Sequence, residues 1–305
     1  MTLHARWFVS LTCLSLITVA GCVPAEESAP AAMTPEHVEL TEVWRLDDGF
    51  ERPESVVLDT VRKVLYVSSI GENRAENDRN GYISRISPDG VFQDTAWVTG
   101  LNAPKGLALK GDLLYASVVD EVVAIDVNSG EIVETHSANG AEFLNDVTVD
   151  AEGNVYISDS GTGVIYRLRE GELGPFVSGG NVASPNGLYA MDEGLIVAAA
   201  DTTHPEPGGG RYLKRVDYDT KNVVAIRDTT ALGALDAVEP DGRGGFFLSD
   251  WAGGTISRWT PEDGEVVLEE LERGTADLTY VADDEMIYVP LMMSGQLVAY
   301  RVEWH

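Results

Sequence analysis

The chain has 305 residues, 44% of them hydrophobic, and sets 50 acidic side chains against 21 basic ones for a formal net charge of −29. A surface that acidic repels nucleic acid and anionic lipid headgroups, which weighs against either as a direct partner. The two cysteines, Cys13 and Cys22, offer no disulfide framework, so a core must hold the fold.

His4 and Arg6 begin a short basic start, followed by an apolar run over 7–20 that is short for a membrane span and ends in small residues, as an export signal does. The run closes on Val19-Ala20-Gly21-Cys22, which resembles the lipobox of bacterial lipoproteins. The resemblance implies cleavage before Cys22 and a diacylglyceryl group on its sulfur; the alternative is an ordinary signal peptide, with Cys22 incidental. Residues 1–21 thus read as a lipoprotein signal peptide, and 22–36, rich in Ala, Pro, Glu and Ser without apolar periodicity, as a disordered tether. The expected location is the cell envelope, through the lipid alone. The lack of Asp at position 23 implies the outer membrane if the host is Gram-negative. About 270 residues follow, a usual length for one all-β domain.

From residue 53 onward one pattern recurs: a polar residue, a short apolar strand, a Gly or Asp turn, and a second strand. It reads Pro53-Glu54-Ser55-Val56 before Leu65-Tyr66-Val67-Ser68, then Pro104-Lys105-Gly106-Leu107 before Leu114-Tyr115-Ala116-Ser117. Next come Leu144-Asn145-Asp146-Val147 before Val155-Tyr156-Ile157-Ser158, and Pro185-Asn186-Gly187-Leu188 before Leu195-Ile196-Val197-Ala198. Leu235-Asp236-Ala237-Val238 precedes Phe246-Phe247-Leu248-Ser249, and Ala276-Asp277-Leu278-Thr279 precedes Met286-Ile287-Tyr288-Val289. The polar residues recur every 40 to 51 positions, and a third strand and a turn follow each pair. Such a period, with several short strands per unit, predicts an all-β, six-bladed β-propeller over 37–305. The sixth repeat has no outer strand of its own, and the apolar segment 38–46 has no partner. The segment is therefore expected to close the last blade and remove the exposed edges.

In a propeller the innermost strands begin around one central channel. The repeat register brings Glu54, Lys105, Asn145, Asn186, Asp236 and Asp277 to equivalent positions there. Three carboxylates in a partly buried ring call for a bound cation. Oxygen donors without a convergent His or Cys favour Ca²⁺; Mg²⁺, Mn²⁺ and, less naturally, Zn²⁺ are the alternatives.

Glu after Pro in the first repeat, Asn-Asp in the third, Pro-Asn-Gly in the fourth and Asp in the fifth resemble the regucalcin/gluconolactonase family of six-bladed propellers, over residues 38–305. The resemblance implies Glu54, Asn186 and Asp236 as calcium ligands, with Asn145 binding the ion directly or through water while facing substrate. It also implies a small-molecule substrate. Sugar-lactone members tend to carry Arg two residues before the Asn of the third repeat, where this chain has Phe143; the pocket expected from Phe143, Asn145 and Asp277 thus favours a less polar substrate.

Two readings of function follow. In one, the protein is a metal-dependent hydrolase of lactones or related esters, with Asp236 as ligand and base and Lys105 stabilising the oxyanion. In the other it is a non-catalytic envelope-binding propeller with a structural ion. Asp120, Asp159, Asp201 and Asp250 form either a second polar ring or a set of turn caps. His204 either lines the channel mouth or is a solvated loop residue, and the loop over 71–80 is either a lid or plain exposed chain. Residues 208–210 lack the Gly-Lys-Ser/Thr of a phosphate loop.

Overall fold

The computed structural model describes residues 37–72, 77–179, 182–200, 210–226 and 231–305. The expected signal, tether and lipidated Cys22 lie outside the described residues, as do Asp201 and His204. Every named element is a strand, and the strands form six four-stranded antiparallel sheets. Among the described residues no helix is long and apolar enough to cross a membrane.

The first blade contains β2 (Pro53–Asp59), β3 (Val64–Ser69), β4 (Gly81–Ile86) and β5 (Phe92–Leu101), and the second β6 (Pro104–Lys110), β7 (Leu113–Val118), β8 (Glu121–Asp126) and β9 (Ile132–Ser137). The third runs β10 (Leu144–Val149), β11 (Val155–Asp159), β12 (Val164–Arg169) and β13 (Glu172–Ser178). The fourth runs β14 (Leu188–Met191), β15 (Gly194–Ala199), β16 (Tyr212–Asp217) and β17 (Val223–Ala225). The fifth holds β18 (Leu235–Pro240), β19 (Phe246–Asp250), β20 (Thr255–Thr260) and β21 (Gly264–Glu270), and the sixth β22 (Thr279–Val281), β23 (Met286–Leu291) and β24 (Gln296–Trp304). As expected, β1 (Val38–Leu46) adds to the sixth blade, antiparallel to β24 from Val38 opposite Trp304 to Leu46 opposite Leu297. The inner strands β2, β6, β10, β14, β18 and β22 each contact the next, and β22 contacts β2. The ring is a closed six-bladed β-propeller.

The core lies between blades. The second strands alternate residues to both faces, and Tyr66, Tyr156 and Phe247, at equivalent places in the repeat, are fully buried. Each packs against another ring: Tyr66 against Trp97 at 5.1 Å, Tyr156 against Tyr218 of the next blade at 5.4 Å, and Phe247 against Tyr280 of the next blade at 4.8 Å. No blade could bury these faces alone, which is why the ring must close.

The inner strands share a bulge. Pro53 lies opposite Ser69 but Val56 lies opposite Val67, so one extra residue sits on the inner strand; the same slip separates Pro104 from Leu107, Leu144 from Val147, and Leu235 from Val238. A bulge re-aims the side chains at its site. Here the bulged residues include Glu54, Lys105, Asn145 and Asp236. In three blades the Ser ending the second-strand motif accepts the N–H that the bulge releases: Ser68 from Ser55 at 3.0 Å, Ser158 from Asp146 at 2.9 Å and Ser249 from Ala237 at 2.9 Å.

Close approach of the inner strands also explains two glycines. A Cβ on Gly106 would stand 2.6 Å from Asp146 Cα, and one on Gly187 would stand 2.3 Å from the Asp236 carbonyl oxygen. Gly187→Ala should therefore cost about 1–3 kcal/mol, the usual cost of overpacking, read as a lower urea midpoint with an unchanged slope. An unchanged midpoint would mean that β14 and β18 are not held this tightly.

Candidate active site

A cavity of about 170 Å³ lies where the inner strands begin, lined by Glu54, Lys105, Asn145, Asn186 and Asp236 together with Arg211, and by Ile70, Phe143, Trp251 and Met292 on its apolar side. All six blades contribute. Two larger clefts, of about 780 and 840 Å³, each draw on two neighbouring blades only, the fourth with the fifth and the third with the fourth. The central cavity is the smaller space but the only one of the three where polar groups from the whole ring converge.

Glu54, Asn145, Asn186 and Asp236 are all at most 7% exposed. Asn145 Nδ2 donates to Asn186 Oδ1 at 2.6 Å and to Ser160 Oγ at 3.2 Å; Asn186 Nδ2 donates in turn to Asp236 Oδ1 and to the Leu235 carbonyl. The row thus runs from amide to amide to carboxylate, with Glu54 as a further acid in the same wall. Turning either Asn amide about its last torsion exchanges nitrogen for oxygen and presents a carbonyl instead. Two carboxylates and two amide oxygens then face one small space, a hard-oxygen donor set that fits Ca²⁺ and gives a thiophilic ion nothing to hold.

Cations face these acids. Lys105 is 1% exposed, donates to the Ala103 carbonyl at 3.4 Å, and holds its ammonium 4.4 Å from the centre of the Phe143 ring. Phe143 therefore does more than make the wall apolar: its π-face attracts the Lys105 charge and fixes its direction. Arg211 was not legible as a site residue in the sequence. Burial lowers its guanidinium pKa from the ordinary arginine value, while the charges of Asp236 and Asp250 pull it back up. Its Nε donates to the Ser184 carbonyl at 3.1 Å, which ties it to the cavity wall.

Asp277 does not line the cavity, although the register aligns it with the other five. The sixth inner strand starts only at Thr279, and Asp277 instead accepts a 2.7 Å hydrogen bond from Ser55 Oγ while its N–H donates to the Glu54 carbonyl. It joins blade six to blade one. Asp146 has the corresponding task across the ring, between blades three and four, accepting the N–H of Val147 at 2.6 Å and that of Leu188 at 2.5 Å. Burial pushes both carboxyls well above the ordinary carboxylate range. The N–H donors oppose this at Asp146, and the Ser55 hydroxyl opposes it at Asp277. Glu239, three residues along β18, is raised likewise by burial and then by the charge of Asp277. A file of acids thus continues beneath the cavity.

Two of the second-strand carboxylates, Asp159 and Asp250, are turn caps, while at Asp120 the backbone carbonyl accepts the Ala138 N–H at 2.9 Å. Asp159 accepts the N–H groups of Phe143 and Gly161, and Asp250 those of Ala234, Ala252 and Gly253. The residues just after those strands, Ile70, Ser160, Trp251 and Met292, reach the cavity instead.

A scan against protein-family models finds no match, and a search of curated proteins finds none either. Solved structures match the fold. A gluconolactonase from Xanthomonas campestris is 13% identical with a TM-score of 0.64, over 84% of this chain and 88% of that one. A calcium-binding regucalcin from Agrobacterium tumefaciens is 15% identical with a TM-score of 0.61, over 86% and 95%. Virginiamycin B lyase from Staphylococcus aureus is 13% identical with a TM-score of 0.60, over 87% and 99%. The likeness is one of architecture, and one architecture can carry different chemistries in different proteins.

Proposed function

We propose that the central cavity is the active site of a divalent-metal-dependent hydrolase of lactones or related small esters, anchored at the cell envelope. The observation that carries this reading is the convergence, in one cavity, of the Asn145–Asn186–Asp236 row and Glu54 with two cationic side chains, Lys105 and Arg211. Gluconolactonase and regucalcin among the structural neighbours agree with it.

Glu54, Asn186 and Asp236 would hold the ion, with Asn145 beside it facing the substrate. A divalent ion there supplies Lewis-acid polarisation of a carbonyl oxygen. Asp236 accepts a proton from water as the water oxygen bonds to the carbonyl carbon. Lys105, aimed by Phe143, faces the oxygen on which negative charge develops. The ring C–O bond then breaks, and the leaving oxygen takes the proton that Asp236 accepted, which gives a hydroxy acid and restores the carboxylate. Ile70, Phe143, Trp251 and Met292 make the substrate side apolar, and about 170 Å³ suits a single small ring. Acyl and aromatic lactones are therefore expected to turn over better than sugar lactones, and only with metal present. A mixed panel of lactones and esters tests this. No turnover of any member with metal present would favour a non-catalytic binding propeller.

The envelope location rests on the Val-Ala-Gly-Cys ending at Cys22. Cys22→Ser should shift the protein from the membrane fraction to the soluble one and remove the lipid mass. An unchanged distribution and mass would rule out the anchor.

A further inference from the structure

Far from the inner strands, four side chains with metal-binding atoms meet where the first and last strands pair. Glu39 lies directly opposite Glu303 in the β1–β24 register. His37 lies opposite His305, since each donates its N–H to the other's carbonyl, at 3.3 and 2.9 Å. Alternation along a strand puts residues 37, 39, 303 and 305 on one face. That face is the outer one, because the neighbouring Val38 and Val302, which alternate to the other face, are buried.

The side chains gather on that face. One ligand atom each from Glu39, Glu303 and His305 lies within 4.8 Å of the other two. His37 Nε2 is 3.2 Å from one oxygen of Glu39, and His305 Nε2 is 3.9 Å from the other. The two imidazoles stand 6.1 Å apart, tilted by 49°. Carboxylates directly opposite each other on paired strands repel. On a chain of net charge −29, that pairing gains most from a shared cation. Two imidazole nitrogens beside two carboxylate oxygens make a mixed donor set of four, which suits zinc and its neighbours in the transition series rather than calcium.

We propose that His37, Glu39, Glu303 and His305 bind one divalent transition-metal ion of zinc type, which clips the strand closing the propeller to its partner. This site is separate from the central cavity in place and in donor chemistry. Backbone register fixes the four Cα positions, so only side-chain torsions have to adjust. An ion held across β1 and β24 binds the closed ring and not the unfolded chain, so it stabilises the native state by mass action.

The test is calorimetric titration of the full-length protein with Zn²⁺ in saturating Ca²⁺, which occupies sites built of oxygen alone. Expected are one Zn²⁺ per chain and, at about a hundredfold excess over the dissociation constant, a rise of roughly 5 °C in melting temperature. The His37→Gln/His305→Gln double variant should lose both effects while keeping the wild-type melting temperature in chelator, which shows its fold intact. Glu39→Gln, with both imidazoles kept, should weaken binding by more than the roughly 10–100-fold that losing a supporting outer-shell partner costs. Zinc uptake and stabilisation that persist undiminished in the double variant, or a wild type that takes up no zinc, would overturn the proposal.

Discussion

Asp236→Asn is expected to lower turnover of a responsive lactone by about 10²–10⁴-fold, the usual contribution of a general base, while keeping most of the metal-dependent thermal stabilisation. The reason is chemical. Asn keeps an oxygen both for an ion and for the hydrogen bond from Asn186 Nδ2, but it cannot accept a proton from water near neutral pH. The buried side chain barely changes in size, so the cavity should keep its shape. Lys105→Met should also slow turnover with little effect on metal affinity, because an ammonium does not ligate a cation. Full activity in Asp236→Asn would show that another group takes the proton. Asp277 would then be a poor substitute, tied as it is to Ser55 outside the cavity.

Removal of the closing strand should have the largest effect on the fold itself. A chain starting at residue 47 would leave β24 with an unpaired edge and strip Val38, Leu40, Trp44 and Leu46 from the apolar clusters that they cover. An open edge next to exposed apolar surface favours aggregation over a stable ring. The expected outcome is loss of soluble protein, or of cooperative unfolding. A milder variant keeps the idea measurable. Trp44→Ala removes a ring 5.9 Å from Tyr288 and a 2.8 Å hydrogen bond to the Pro88 carbonyl, and should cost about 2–4 kcal/mol. Wild-type stability in both would mean that β1 is not needed to close the propeller.

Much of this architecture was readable beforehand because a propeller repeats one small solution. Turn residues, apolar strand pairs and their period exposed six units, and a sixth unit one strand short pointed to 38–46. The axial residues followed from register: Glu54, Lys105, Asn145, Asn186 and Asp236 line the cavity together. Register failed where strands do not start alike. Asp277 precedes a late-starting β22, and its neighbour Ser55 draws it away. The bulges were not legible either. They depend on side chain to backbone bonds such as Ser158 to the Asp146 N–H, and the repeated serines were read simply as strand ends. Arg211 was missed because a lone Arg opening a third strand gives no sign that it points inward. Phe143 was read as a substrate wall, and its hold on Lys105 needed coordinates.

The central claim is that the buried oxygen donors around the axis form a divalent-cation site. Its most direct test is titration of Ca²⁺ into chelator-treated protein, followed by heat and by melting temperature. Expected are one tightly held ion joined to Glu54, Asn186 and Asp236, a higher melting temperature when it is bound, and loss of both effects in a Glu54→Gln/Asp236→Ala variant that still folds in chelator. No heat on titration, no metal in the purified protein and no change in melting temperature on chelation would contradict it.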